Sequence, residues 1–219
     1  MTVTDRRSVD TPRGTARLEQ HRAKRPWGTL ALTHGAGGGI DAPDLQLLAR
    51  RLPPQGISVA LVEQPWRVDG KRVASPPAWL DDGFRAVVSS LRQRTPLVVG
   101  GRSAGARVGC RTGRGLGAVG EVALSFPLHP PGRPERSRAP ELAADGLPVL
   151  VLQGAHDPFG APAEFPPGPV VWPVPDADHS LRVPKRSSTS EHDVQVLLVE
   201  AVLDWIRSLL RCPGVRALP

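Results

Sequence analysis

Gly101-Arg102-Ser103-Ala104-Gly105 puts a serine where it can act as a nucleophile. The five residues follow the apolar run Pro96–Gly100 and precede the small-residue stretch Ala106–Cys110, so G-x-S-x-G falls between a strand and a helix. A serine in so sharp a turn stands clear of the backbone, beside helix amides that favour developing negative charge. Glycines flank it because a Cβ there would strike the neighbouring strand and helix. The competing reading is a glycine-rich turn with an incidental serine.

A serine hydroxyl is a weak nucleophile until a base takes its proton, and the base needs a carboxylate to orient it. In an open parallel sheet, functional groups gather at the carboxyl ends of strands. Two later strand exits supply such groups. Gly154-Ala155-His156-Asp157-Pro158 offers Asp157, and Pro175-Asp176-Ala177-Asp178-His179-Ser180 offers His179. The expected set is Ser103, Asp157 and His179. Asp157 could otherwise be a turn former before proline, and His179 a solvated loop residue. Asp145 precedes its strand, and Asp178 adjoins the base, so both are poorer acids.

A tetrahedral intermediate also needs backbone amides aimed at its oxyanion. The segment His34-Gly35-Ala36-Gly37-Gly38-Gly39 follows an early strand, and its amides can converge on an anion. The amide of Ala36 or Gly37, with that of Ala104, would form the hole. A phosphate loop is the alternative, but G-x-G-x-x-G leading into a helix and G-K-[ST] are both missing. His34 is expected to brace the loop. Glu63-Gln64-Pro65-Trp66-Arg67 also follows a strand. There Trp66 either walls the pocket or packs the loop, and Arg67 either attracts an acyl carboxylate or meets an acidic neighbour. Arg102 is expected to pack beside the turn.

These residues need elements to hold them. Strands are expected at Trp27–Thr33, Ile57–Val62, Leu97–Gly100, Val119–Phe126, Pro148–Gln153 and Pro169–Val174, with helices at Pro43–Leu52, Ala78–Arg94, Ala104–Thr112 and His192–Leu210. The alternation implies an α/β fold, a doubly wound, mostly parallel sheet with helices on both faces. Residues 1–25 read as a polar arm contributing one edge strand near 12–20, and residues 26–211 as one domain. Only about 20 residues, 127–146, are available above the sheet for a cap, so the site should be shallow and open.

The 219 residues can bury a core without staples, and 40% of them are hydrophobic. Two cysteines, Cys110 and Cys212, make neither a disulfide framework nor a metal site. No apolar run is long enough for a membrane span, and no signal-peptide pattern follows the N-terminus, so the cytoplasm is the expected location. The net charge of +7 raises nucleic acid as a partner. The basic residues are spread along the whole chain, however, and Tyr is absent. A solvated basic surface is the better reading, with no nucleic-acid partner and no cofactor.

Taken together, Leu32–Gly38, Glu63–Val68, Gly100–Val108, Leu152–Gly160 and Asp178–Ser180 resemble the small bacterial α/β-hydrolases related to the KANL3/Tex30-type proteins. The likeness spans roughly residues 28–210. It implies the α/β-hydrolase fold, with the chain order Ser103, Asp157, His179 as its triad, and gives little on substrate; the triad order and the glycine-rich oxyanion segment are what point to a small acyl ester or thioester. Some relatives serve as subunits of larger assemblies with an altered nucleophile motif. A binding or scaffold protein is therefore the other reading; this chain keeps Ser, Asp and His.

Overall fold

The computed structural model describes residues 3–92 and 94–211; Cys212 lies outside them. Eight strands form one sheet: β1 (Val3–Thr11), β2 (Gly14–Arg22), β3 (Gly28–Thr33), β4 (Ile57–Glu63), β5 (Leu97–Arg102), β6 (Gly120–Leu124), β7 (Val149–Gly154) and β8 (Val170–Val174). Their order is β1-β2-β4-β3-β5-β6-β7-β8. The six strands β3 to β8 run parallel, and among the described residues only the β1–β2 hairpin is antiparallel to its neighbours. Strands β3, β6 and β7 are buried along their whole length, as continuous apolar runs require.

Between the strands lie α1 (Pro43–Arg51), α2 (Pro65–Val68), α3 (Pro77–Ser89), α4 (Ala104–Thr112) and α5 (Ala139–Leu142), and α6 (Glu191–Arg211) closes the fold. The chain leaves β3 in one direction to reach β4, then crosses back over it to β5 and continues outward to β8. Right-handed crossovers in opposite directions put helices on opposite faces. Leu45, Leu48 and Leu52, with Leu198, Val202 and Ile206 of α6, accordingly cover Leu30 and Leu32. Phe84 and Val87 of α3, with Val108 of α4, cover Ala31 and Val99 on the other face. Alternate residues of one strand feed the two cores.

The reversal between β3 and β5 has a consequence for function. Loops leaving the two strands diverge there and open a crevice at the sheet's carboxyl edge. The glycine-rich segment and Ser103 leave at this point.

Two expectations change. Residues 3–22 form two strands rather than one, turning through Gly14 at φ 106°. The first, Val-Thr-Asp-Arg-Arg-Ser-Val-Asp-Thr, has no apolar alternation; its pairing rests on the backbone ladder and on ion pairs such as Arg6–Glu19 at 2.6 Å. Helix α3 stops at Ser89 instead of 94. The Ser90 hydroxyl donates to the carbonyl of Val87 at 2.6 Å, competing with the next helical bond. Between β6 and β7 the chain forms only the four-residue α5, and no cap domain is present among the described residues. No helix among them is long and apolar enough to cross a membrane.

Candidate active site

Ser103 links β5 to α4 with φ 52° and ψ −111°, a conformation that costs a non-glycine residue strain. Its amide donates to the carbonyl of Leu124 at 2.9 Å, tying the turn to β6. Close packing explains the two flanking glycines. A Cβ on Gly101 would meet the Thr33 carbonyl and lie 2.7 Å from the Gly105 carbonyl carbon. One on Gly105 would meet the same Thr33 carbonyl and come within 2.8 Å of that of His34. The strand that carries the glycine loop and the helix behind the serine thus touch backbone to backbone.

The structure brings the three sequence-predicted side chains together. His179 Nε2 lies 3.0 Å from Ser103 Oγ, and His179 Nδ1 lies 2.8 Å from Asp157 Oδ2. With the carboxylate as acceptor, Nδ1 carries the proton, and Nε2 accepts from the serine hydroxyl. Asp157 is buried and Ser103 half-buried. The other candidate acids serve elsewhere. Asp145 accepts from the Arg114 amide at 2.8 Å. Asp178 accepts from the amides of Ser180 and Arg182 at 2.7 and 3.1 Å, shaping the loop just past the histidine.

Two further residues hold this set, and neither stands out in the sequence. Gln153 Nε2 donates to Asp157 Oδ2 and to the Gly160 carbonyl, both at 2.8 Å. The amide of Phe159 donates to Asp157 Oδ1 at 2.8 Å, and its ring packs on His179 with centroids 4.3 Å apart. A lone polar residue ending the apolar strand Val149–Gly154 is the one signal that could have marked Gln153.

Ser103 opens onto a cleft of about 630 Å³ lined by Ala36, Gly37, Ala104 and His179, among others. Among the described residues, the amides of Ala36, Gly37 and Ala104 make no hydrogen bond to a protein acceptor. His34 braces the loop beneath them. Its Nδ1–H donates to the Gly35 carbonyl at 2.9 Å, and its Nε2 accepts from the Gln64 amide at 3.0 Å. Burial lowers its pKa, outweighing the bond to Gly35, so the ring stays neutral in the tautomer those bonds need. Arg102 pairs with Asp44 of α1 at 2.9 Å and donates to the His179 carbonyl at 2.9 Å, bracing both sides of the turn.

Trp66 and Arg67 are not part of this cleft. Trp66 is buried under the glycine loop, its ring 5.5 Å from that of His34. Arg67 is exposed and lines a neighbouring cleft with Glu63 and Asp41. The cause is strand order: β4 lies on the far side of β3 from β5, so its exit loop is one strand further from Ser103 and packs behind the glycine loop.

This sheet and its strand order define an α/β-hydrolase fold, and residues 27–207 match the family described as alpha/beta hydrolase domain. The chain belongs to that family. It is similar in structure to XC6422 from Xanthomonas campestris, described as an α/β serine hydrolase without lid: TM-score 0.69, 22% identity, 92% of this chain and 94% of that one. Dienelactone hydrolase from Anabaena variabilis superposes with TM-score 0.71 at 15% identity, over 94% and 98% of the two chains. Est1E from Butyrivibrio proteoclasticus gives 0.70 at 12% identity, over 94% and 98%. At these identities the likeness is one of fold. No curated protein matches the chain.

Proposed function

We propose that this protein is a serine hydrolase that cleaves a carboxylic ester or thioester through an acyl-enzyme. The observation that carries the reading is the continuous hydrogen-bonded series Ser103–His179–Asp157, at 3.0 and 2.8 Å, on a turn strained at φ 52°. His179 Nε2 takes the hydroxyl proton as Ser103 Oγ attacks the acyl carbon. Asp157 keeps the ring oriented and stabilises the imidazolium. The oxyanion forms in reach of the Ala104 amide and that of Ala36 or Gly37, donors of cleft-lining residues that have no protein acceptor among the described residues. Collapse expels the leaving alkoxide or thiolate, which takes its proton from His179. Water, deprotonated by the same nitrogen, then attacks the acyl-serine and releases the acid. Neither a metal nor an organic cofactor enters these steps.

The partner in this reading is a small acyl substrate, reached through an open cleft with no cap domain above it among the described residues. A cytoplasmic setting and a place among the KANL3/Tex30-type hydrolases belong to the same proposal; the first is tested by cell fractionation. The reaction is tested by turnover of short-chain 4-nitrophenyl esters and acyl thioesters. Ser103→Ala and His179→Ala are each expected to reduce kcat by about 10³-fold or more. Undiminished turnover by folded Ser103→Ala would overturn the reading. Folded wild type that turns over nothing would point to a binding role for the fold.

A further inference from the structure

The cleft at Ser103 is walled by arginine. Arg102, Arg107, Arg138 and Arg182 line it, against a single lining carboxylate, Asp41. Two of the four already have a carboxylate partner. Arg102 pairs with Asp44, and Arg107 grips Glu141 through two nitrogens at 2.8 and 2.6 Å. Among the described residues, neither Arg138 nor Arg182 is ion-paired. Arg138 Nη1 instead donates to the Pro127 carbonyl at 3.0 Å. The backbone of Arg182 is fixed by Asp178, and its side chain is exposed.

An exposed arginine such as Arg182 is ordinary. A half-buried guanidinium on the same wall as a second one is not, because burial and like charge both oppose it. Burial first, and then the positive charge of Arg107, lower the pKa of Arg138, with Glu141 only partly offsetting them. An anion in the cleft would relieve both. A guanidinium presents a planar pair of N–H donors that matches a carboxylate. One half-buried and one exposed cation suit a monoanion better than a phosphate dianion, which needs more donors.

We propose that Arg138, assisted by Arg182, forms a carboxylate-binding subsite of the Ser103 cleft, and that the substrate is an ester or thioester carrying a second, free carboxylate. The inference rests on the serine-hydrolase reading above. It moves substrate recognition from Arg67 to residues that line the cleft itself.

The test compares matched pairs of esters. Mono-4-nitrophenyl adipate is set against 4-nitrophenyl hexanoate for an acyl-side carboxylate, and 4-acetoxybenzoate against its methyl ester for one on the leaving group. At least one anionic member is expected to show kcat/KM about 10-fold or more above its neutral match. Arg138→Gln is expected to bring that ratio close to one, while Arg51→Gln, an exposed site on α1, controls for overall charge and leaves it unchanged. The exposed Arg182→Gln, which removes no packed group, is expected to lower the ratio as well. Wild-type ratios near one in both pairs would overturn the proposal without recourse to any variant, as would a ratio that survives both substitutions. Ester ratios near one from a wild type whose Ser103 a fluorophosphonate does label would sink this inference alone. Absence of labelling would sink the reading beneath it.

Discussion

The ring of Phe159 packs against that of His179, centroids 4.3 Å apart and planes 35° from parallel. The same residue's amide holds Oδ1 of Asp157 at 2.8 Å. One residue thus fixes the imidazole by its face and the carboxylate by its backbone. Phe159→Ala keeps the amide and removes the face, so Asp157 stays in place while His179 gains freedom to leave Ser103. Steady-state kinetics should show kcat lower by about 10-fold, since orientation is a large share of the catalytic advantage. An unchanged kcat would mean the ring only lines the cleft.

Gln153 acts on the other carboxylate oxygen. Its Nε2 bridges Asp157 Oδ2 and the Gly160 carbonyl, so Gln153→Leu takes one donor from a buried carboxylate and one from the Gly160 carbonyl together. A hydrogen bond to a charged group is worth about 1.5–3 kcal/mol. The variant is expected to lose about that much stability in urea unfolding, along with most of its esterase turnover. Retention of both would show that Asp157 needs no support from this side.

Backbone contact at the nucleophile turn is tested by Gly105→Ala. The added Cβ has no free space, being aimed at the Thr33 carbonyl and 2.8 Å from that of His34. Relief requires the glycine loop and α4 to part, displacing the Ala36 and Ala104 amides from one another. We expect a loss of about 1–3 kcal/mol and a lower Tm, the usual result of overpacking. Activity should fall further than stability accounts for. The equivalent change at Gly37, which has open space around its Cα, should leave Tm unaltered.

A second buried carboxyl gives the fold a pH dependence of its own. Glu121 is the second residue of β6, at the end of the sheet away from Ser103, and is 1% exposed beside Cys110 of α4. Burial pushes its pKa up to about 8, the Cys110 thiol opposing this and the charge of Asp145 adding to it. The folded state therefore binds a proton that the unfolded chain, near 4.5, has released. This contribution is fully present below the unfolded value and is lost as pH rises through about 8. Chemical unfolding across that window should show stability falling by an amount on the order of a few kcal/mol. Glu121→Gln should flatten the slope and be the more stable protein above pH 8. Parallel curves for the two proteins would refute the assignment.

Ser103, Asp157 and His179 were legible in the sequence because each follows an apolar strand and carries a residue type with few structural uses there. Their meeting needs the three strands to be parallel, which the strand–helix alternation already implied, and to lie on one side of β3, which it did not. Trp66 and Arg67 satisfy the same exit rule yet miss the cleft, because chain order does not reveal that β4 lies beyond β3. Phe159 and Gln153 are set by the path of the turn 157–160, which no periodicity encodes. The β1–β2 hairpin was half seen. Its outer strand is polar throughout and pairs through its backbone, so hydrophobic patterning had nothing to report.

The proposed chemistry turns on an activated serine at position 103. Wild type and Ser103→Ala, both shown to be folded, are incubated with a fluorophosphonate at neutral pH and read by intact mass. One covalent adduct is expected on wild type, mapped to Ser103, and none on the variant. A folded wild type that stays unlabelled, or a Ser103→Ala protein that labels equally, would contradict that chemistry.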